Sequence, residues 1–123
     1  VYGQGKSLEQ LQEILATQQQ AGQPSLITRC DAAHAVILAE IYGHAGYNPL
    51  AKTFRLGKLT AEGHPRVLVV TAGATDRTIA EEACETAIWM GCEVETLQDV
   101  GVAGPWRLIE RRERLQQADA VVC

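Results

Sequence analysis

The spacing of apolar side chains near the start of the chain predicts two helices separated by a strand. Residues 7–22, SLEQLQEILATQQQAG, carry leucine and isoleucine at intervals of three and four, which is typical of a helix with one buried face. Ser7 and Gln10 match a capping box at its start. Residues 25–30, SLITRC, predict a short strand. Asp31 is suited to cap a second helix, with apolar positions at Ala33, Val36, Ile37 and Ile41.

The segment after the second helix predicts the end of a small domain. Gly43 and Gly46 are expected to end the helix, and residues 51–59, AKTFRLGKL, alternate enough to predict another strand. Residues 1–60 are therefore expected to form a small α+β domain. The polar segment that follows contains two residues that break regular structure, so residues 61–66 are predicted to be a linker.

From Val67 onward the pattern changes to alternating strands and helices. Residues 66–72, RVLVVTA, form a β-branched apolar run, as in a parallel strand covered on both faces. A helix, the strand CEVETLQDVG, a helix opening at Pro105 and the strand start ADAVVC follow. The predicted inward positions of the two helices are Ile79, Ala80, Ala83, Cys84, Ala87 and Ile88, then Leu108, Ile109 and Leu115.

The order of these elements predicts an α/β fold class. The small N-terminal α+β domain of residues 1–60 is followed, in residues 67–123, by the first half of a Rossmann- or flavodoxin-like parallel sheet. Both predicted β-α-β connections are expected to be right-handed crossovers.

Composition and charge exclude some classes of binding partner. A net charge of −4 gives no basic field to recruit nucleic acid. In the segment WRLIERRER the arginines alternate with glutamates, as on a solvent-exposed helix face. No signal peptide or long apolar span is present, so the chain is expected to be cytoplasmic and away from membranes. The four cysteines include no CxxC pair and no zinc-ligand spacing. The segment GQGKS lacks the first glycine of a phosphate loop and is predicted to be a turn before the first helix.

The turn TAGATD, residues 71–76, is the first candidate for chemistry, because open α/β sheets bind ligands where strands end and helices begin. Gly73 has no Cβ and lets a ligand approach the backbone, and Thr75 offers a hydroxyl. Asp76 precedes a helix N-terminus, where free N–H groups suit an anion. Its carboxylate either faces a substrate hydroxyl, a metal ion or a protonated group, or simply caps the helix.

The turn DVGVAG, residues 99–104, is the second candidate. Gly101 and Gly104 again permit a close approach to the backbone. Asp99 either orients a ribose hydroxyl or a metal ion, or hydrogen-bonds its own backbone as an ordinary turn residue. Parallel strands share the edge at which their carboxyl ends lie, so both turns are expected to converge on one site.

These two turns also carry a family resemblance. Residues 67–108 combine TAG-x-[ST]-D, AEEA, G-x-EVE and DVGVAG at distances that resemble the start of the catalytic domain of LarB. LarB belongs to the aminoimidazole-ribonucleotide carboxylase-like group, which includes the cyanobacterial circadian phase modifier protein. The segments GQGKSLEQ and LITR resemble the small domain that precedes the catalytic domain in the same family.

The resemblance implies a nicotinic acid adenine dinucleotide carboxylase and hydrolase of nickel-pincer nucleotide cofactor biosynthesis. It implies carboxylation of the pyridine ring by carbon dioxide or bicarbonate, cleavage of the phosphoanhydride with release of AMP, participation of Mg²⁺, and a homo-oligomer, an octamer in relatives. The related purine carboxylases hold substrate phosphate and ribose with Gly-Ser-x-Ser-Asp, in which Ala74 here departs from the middle of the motif. The second turn lacks the histidine of those enzymes, which favours the LarB branch. The implied substrate-binding residues are Gly73, Thr75, Asp76, Asp99, Gly101 and Gly104, with Asp76 as the catalytic candidate.

The resemblance further implies a longer parent protein. The family's pyridine-reactive cysteine follows the third strand at a distance, whereas Cys123 is predicted to lie within that strand. This segment by itself is therefore expected to be inactive. The alternative is a regulatory or binding protein on the same scaffold, of the circadian phase modifier type.

Overall fold

The computed structural model describes residues 1–59, 63–101 and 103–123, so part of the predicted linker 61–66 and Val102 of the second turn lie outside the described residues. The chain divides into two compact units, Val1–Leu59 and Thr60–Cys123. The first contains α1 (Leu8–Gln20), β1 (Ser25–Ile27), α2 (Ala32–Ile41), β2 (Gly46–Asn48) and β3 (Thr53–Leu56). The second contains β4 (Arg66–Val70), a turn of 3-10 helix (Ala74–Asp76), α3 (Arg77–Trp89), β5 (Glu93–Leu97), α4 (Pro105–Glu110), α5 (Arg112–Gln117) and β6 (Ala120–Val122).

Helix α1 begins and ends as its sequence predicts. The Ser7 Oγ accepts a hydrogen bond from the Gln10 N–H at 3.3 Å, and the Gln10 Oε1 accepts one from the Ser7 N–H at 2.9 Å, which completes the capping box. At the other end Gly22 adopts a φ of +66°, and the N–H of Gln23 donates to the Gln18 carbonyl. This C-terminal motif needs a residue that tolerates left-handed backbone, and glycine does so at no steric cost.

The sheet of the first unit is antiparallel, with β3 between β1 and β2. Strand β2 was not predicted, because Gly-Tyr-Asn is too short to show alternation. Gly46, expected to end the second helix, instead begins this strand, and α2 stops earlier, at Ile41. A Cβ at Gly46 would lie 2.8 Å from the Nε of Arg55, its cross-strand partner, so the glycine admits the arginine side chain.

The buried face of α2 differs from the predicted one. Ala35 and Leu38 are fully buried, in a core that also holds Phe54 from β3. All four predicted apolar positions, Ala33, Val36, Ile37 and Ile41, are exposed, Val36 and Ile41 to 59% and 51%. Helix α2 is apolar on nearly every side, so periodicity alone does not distinguish its inner face from its outer face.

The sheet of the second unit is parallel, with β4 between β5 and β6, as the predicted α/β class requires. Val67 and Val69 pack on Cys84 of α3. Leu68, which lies between these two valines, is on the opposite face, because successive side chains of a strand alternate. Its strand partner Glu95 is on the same face as Leu68 and forms an ion pair with Arg114 of α5. The connections before β5 and before β6 therefore run on opposite faces of the sheet, and the strand order reverses at β4.

The last predicted helix is interrupted at Arg111 and forms α4 and α5. Ile109 is 72% exposed rather than inward, and Leu108 is exposed as well, while Leu115 is partly buried. In α3 the alanines and Cys84 of the predicted stripe do pack on the sheet, whereas Ile79 is exposed. Among the described residues, no helix has both the length and the apolar character needed to cross a bilayer.

Candidate functional site

The two candidate turns lie side by side at the carboxyl edge of the parallel sheet. The Thr71 N–H donates to the Leu97 carbonyl at 2.9 Å, and the Val100 N–H donates to the Thr71 carbonyl at 3.2 Å. These bonds extend the pairing of β4 and β5 into the loops that follow both strands. The convergence expected from the parallel arrangement is therefore present in the described part of the chain.

Gly101 is needed for the contact between the two turns. A Cβ at this position would lie 2.8 Å from the carbonyl oxygen of Ala72, which is shorter than real Cβ contacts allow. Sequence reasoning gave Gly101 a ligand-facing role. The structure gives this glycine a packing role, because the first turn already fills the space where its side chain would be.

The carboxylate of Asp76 folds back into its own loop. Its Oδ2 accepts a hydrogen bond from the Gly73 N–H at 3.2 Å, and its Oδ1 lies 3.4 Å from the Thr75 hydroxyl oxygen. The turn of 3-10 helix runs directly into α3, so the Arg77 N–H donates to the Ala74 carbonyl, and the Asp76 side chain makes no hydrogen bond as the N-cap of α3 itself. Asp76 is the third residue of this continuous helical segment and binds the N–H of Gly73, the N-cap, which is one half of a capping box and a structural role.

Gly73 and Thr75 are both accessible to solvent in the first turn. Gly73 has an extended backbone with a φ of −157°, and a Cβ built there would meet nothing within 4 Å. Thr75 is exposed. No packing within the described residues requires glycine at position 73, in contrast to position 101.

A cleft of about 410 Å³ opens beside the first turn, between the carboxyl ends of β4 and β6. This is where the strand order reverses, the position at which open α/β sheets bind ligands, and its volume is typical of small-molecule sites. Its wall is mainly apolar and includes Val70, Ile79 and Leu108, while Asp76 is the one carboxylate among the described lining residues. The exposure of Ile79 and Leu108, which the periodicity did not predict, is thus exposure to this cleft.

Cys123 also lies on the cleft wall. Cys123 directly follows Val122 of β6, at the strand where the sequence predicted it. Its thiol is exposed. Cys84, by contrast, is buried behind the cleft, and burial, with the nearby carboxylates of Glu81 and Glu85, raises its pKa, as expected for an inert core thiol.

Asp99 and Gly104 are not on the described wall of this cleft. Asp99 adopts a φ of +61° and forms an exposed ion pair with Arg107, whose Nη1 also donates to the Asp99 carbonyl at 3.1 Å. Gly104 is buried just before α4, and its N–H donates to the Gly101 carbonyl at 3.0 Å. Gly73, Thr75 and Gly101 are not on that wall either, so among the predicted site residues Asp76 is the one that the structure places in the described cleft lining.

The cleft does not contain a metal site built from protein ligands alone. Within the described ranges, no three His, Cys, Asp or Glu side chains are grouped so as to hold a cation. Mg²⁺ commonly binds through one or two carboxylates together with phosphate oxygens and waters. Asp76 alone is compatible with a magnesium ion that enters on a phosphorylated ligand.

Comparison with known proteins addresses the first unit. Residues 1–58 match the family described as the LarB/PurE-like N-terminal domain. The N-terminal unit is therefore similar to this family over nearly its whole length. A segment of 54 residues is also 43% identical to the uncharacterized protein MJ0165 of Methanocaldococcus jannaschii, and the match covers 44% of this chain and 21% of that relative. The chain thus corresponds to about a fifth of the length of the curated relative it matches.

The LarB/PurE-like match confirms the resemblance for the N-terminal portion of the chain and supports a carboxylase-like family. The α/β architecture of the described residues is consistent with the same family. The cleft at β4 lies in the second unit, outside the matched residues. The roles of its residues therefore rest on their geometry.

Proposed function

We propose that this chain is part of a LarB-type enzyme that carboxylates and hydrolyses nicotinic acid adenine dinucleotide in nickel-pincer nucleotide cofactor biosynthesis. The observation that carries the proposal is the cleft at the reversal of strand order beside the Gly73–Asp76 turn, in a chain whose first unit is LarB/PurE-like. A dinucleotide needs both an anion-binding turn and an apolar wall, and this cleft offers both.

The first turn is the proposed phosphate- and ribose-binding element. The dipole of the helical segment that begins at Ala74 and continues into α3 favours a phosphate group at its N-terminal end. The Gly73 backbone faces open space, so an oxygen of the substrate can approach it closely, and the Thr75 hydroxyl can donate a hydrogen bond. We assign Gly101 and Gly104 to holding the second turn against the first, and Asp99 to the rim, where it would reach the substrate only by leaving Arg107.

Asp76 is the proposed catalytic residue. Carboxylation of an aromatic ring replaces a ring hydrogen, so a base must accept a proton, and Asp76 supplies the carboxylate on the described wall. Its bonds to Gly73 and Thr75 orient the carboxylate before substrate binds. Val70, Ile79 and the neighbouring apolar wall would exclude water around the pyridine ring. Carbon dioxide or bicarbonate is the co-substrate, and water cleaves the phosphoanhydride to release AMP.

We propose that Mg²⁺ enters the site bound to the substrate and is not held there permanently by the protein. The described residues form no carboxylate cluster, so the phosphate oxygens and water would supply most of its ligands. Its chemistry would be to neutralise charge on the phosphoanhydride.

Self-association is proposed from the family resemblance alone, which implies a homo-oligomer, an octamer in relatives.

The proposal is tested with protein expressed from the complete gene. Calorimetric titration with nicotinic acid adenine dinucleotide should give saturable heat, and incubation with bicarbonate and Mg²⁺ should give a carboxylated nucleotide and AMP by mass spectrometry. The absence of heat from a correctly assembled sample would contradict the proposal. Binding without turnover would instead support the regulatory alternative.

A further inference from the structure

A second cleft, of about 380 Å³, lies within the first unit and is rich in positive charge. It is lined by the Gly3–Lys6 segment, by residues 29–31, by His34 and by Lys52. Lys6, Arg29 and Lys52 bring three positive charges to a space that contains one carboxylate, that of Asp31. The proposed carboxylase site does not use any of these residues. The segment GQGKS, which does not match a phosphate loop, supplies one wall.

Backbone hydrogen bonds fix the three segments of the cleft relative to one another. The Gly3 N–H donates to the Thr28 carbonyl at 2.7 Å, and the Cys30 N–H donates to the Lys52 carbonyl at 2.8 Å. The Lys6 N–H donates to the Gly3 carbonyl at 3.1 Å, which closes the turn ahead of α1. The positive side chains are therefore carried by a framework that is already assembled, rather than by independent loops.

The backbone at two of the cations is of a kind that side chains rarely adopt. Arg29 and Lys52 have φ values of +52° and +53°, and they are two of the four non-glycine residues with positive φ in the described ranges. Glycine or asparagine would fit this conformation with less strain. Strained backbone occurs preferentially where a side chain has a specific task. The presence of arginine and lysine at these positions points to a task for their charges.

The carboxylate in the cleft is already engaged. The Asp31 Oδ1 accepts a hydrogen bond from the Ala33 N–H at 2.8 Å and so caps α2. Among the described residues, neither Lys6 nor Lys52 makes an ion pair. The cleft consequently retains an excess of positive charge that the chain itself does not neutralise.

We propose that this cleft binds the phosphate or diphosphate group of a nucleotide. Arginine and lysine bind phosphate oxygens through charge-assisted hydrogen bonds, and Lys6 and Lys52, which make no ion pair among the described residues, bring two positive charges to one space beside Arg29. The cleft volume lies within the range of small-molecule sites, so part of a nucleoside also fits. The proposal does not rest on the carboxylase function, because the two clefts share no residue.

The test is a titration of the 123-residue chain with inorganic pyrophosphate, followed by amide NMR shifts. Saturable shifts are expected at Gly3, Gly5 and Lys52. Arg29→Asn and Lys52→Asn each remove a charge while keeping a residue that tolerates the left-handed backbone, and each should weaken binding at least about tenfold. Lys58→Asn is the matched control, since Lys58 is exposed in the same unit and does not line the cleft; its affinity should change by less than about twofold.

Further titrations identify the ligand chemistry. AMP should compete with pyrophosphate, whereas adenosine, which carries no phosphate, should not. Tighter binding of AMP would indicate a nucleotide ligand, and tighter binding of pyrophosphate a free diphosphate; both support the phosphate site. The proposal is overturned if no saturable shift occurs, if Lys58→Asn weakens binding as much as Lys52→Asn, or if adenosine competes as well as AMP. Spectra of the free variants confirm that each remains folded.

Discussion

The two candidate turns each contain a glycine, and the same substitution at the two positions should have opposite consequences. In Gly101→Ala the new methyl group would lie 2.8 Å from the Ala72 carbonyl oxygen, so one turn must move away from the other. In Gly73→Ala the methyl group would meet nothing within 4 Å, and the extended backbone suits alanine. Comparing the two variants distinguishes the effect of the steric contact at position 101 from the effect that replacing any glycine by alanine would have.

The expected magnitudes follow from these contacts. Overpacking against backbone costs about 1–3 kcal/mol of unfolding free energy, so Gly101→Ala should lose about that much. At a urea dependence near 1 kcal/mol per molar, the midpoint should fall by about 1–3 M. Gly73→Ala should change the unfolding free energy by less than about 0.5 kcal/mol, or raise it slightly, because alanine restricts the unfolded chain.

The chain provides its own probe for this measurement. Both tryptophans, Trp89 and Trp106, lie in the second unit, so tryptophan fluorescence during urea unfolding reports that unit selectively. Equal midpoints for Gly101→Ala and Gly73→Ala would refute the packing role given to Gly101. Ligand binding should show the complementary result: Gly73→Ala should weaken nicotinic acid adenine dinucleotide binding although it leaves stability intact, because its methyl group enters the proposed ligand space.

Three further predictions concern single side chains. Asp76→Asn should abolish carboxylation in the full-length protein while leaving the urea midpoint nearly unchanged, since the asparagine oxygen can still accept the loop hydrogen bond; substantial remaining turnover would return Asp76 to a structural role. Asp99→Asn breaks an exposed ion pair with Arg107 and should cost under about 1 kcal/mol of stability; a larger loss by urea denaturation would count against this assessment. Burial, with a smaller contribution from a neighbouring carboxylate, raises the pKa of Cys30 from 9.0 to about 11. The unfolded chain then binds fewer protons than the folded chain between pH 9 and about 11, so stability should be unaffected below pH 9 and fall across that window. At pH 8, iodoacetamide should label the exposed Cys123 well before Cys30, and mass spectrometry of peptides would reveal the opposite order if the burial were wrong.

Local signals in the sequence predicted the elements whose ends depend on particular side chains. Ser7, Gln10 and Gly22 define α1 because capping and left-handed backbone involve residues a few positions apart. The β-branched run of β4 predicted a central parallel strand, because a strand covered on both faces has no polar alternation. Strand β2 was not predicted, because it is a strand through its pairing with β3 and not through a pattern in its own residues.

The candidate site also has features that the sequence predicted and features that it did not. Sequence located the Gly73–Asp76 turn, since strand-to-helix junctions are visible as an apolar run followed by small and polar residues. It did not show that Gly101 packs against Ala72. That contact depends on how closely two loops approach each other, which neighbouring residues in the chain do not encode.

By itself, the sequence determined that this chain has an α/β fold, that its glycine-rich turns follow parallel strands, and that its first part resembles a LarB-like domain. Only the tertiary structure decided that Ile79 borders a cleft instead of the core, and that Lys6, Arg29 and Lys52 meet around another. The physical reason is the range of the interactions. Helix caps, periodicity and turns act over a few residues, whereas a cleft is formed by segments that are distant in the chain and are brought together by sheet pairing and backbone hydrogen bonds.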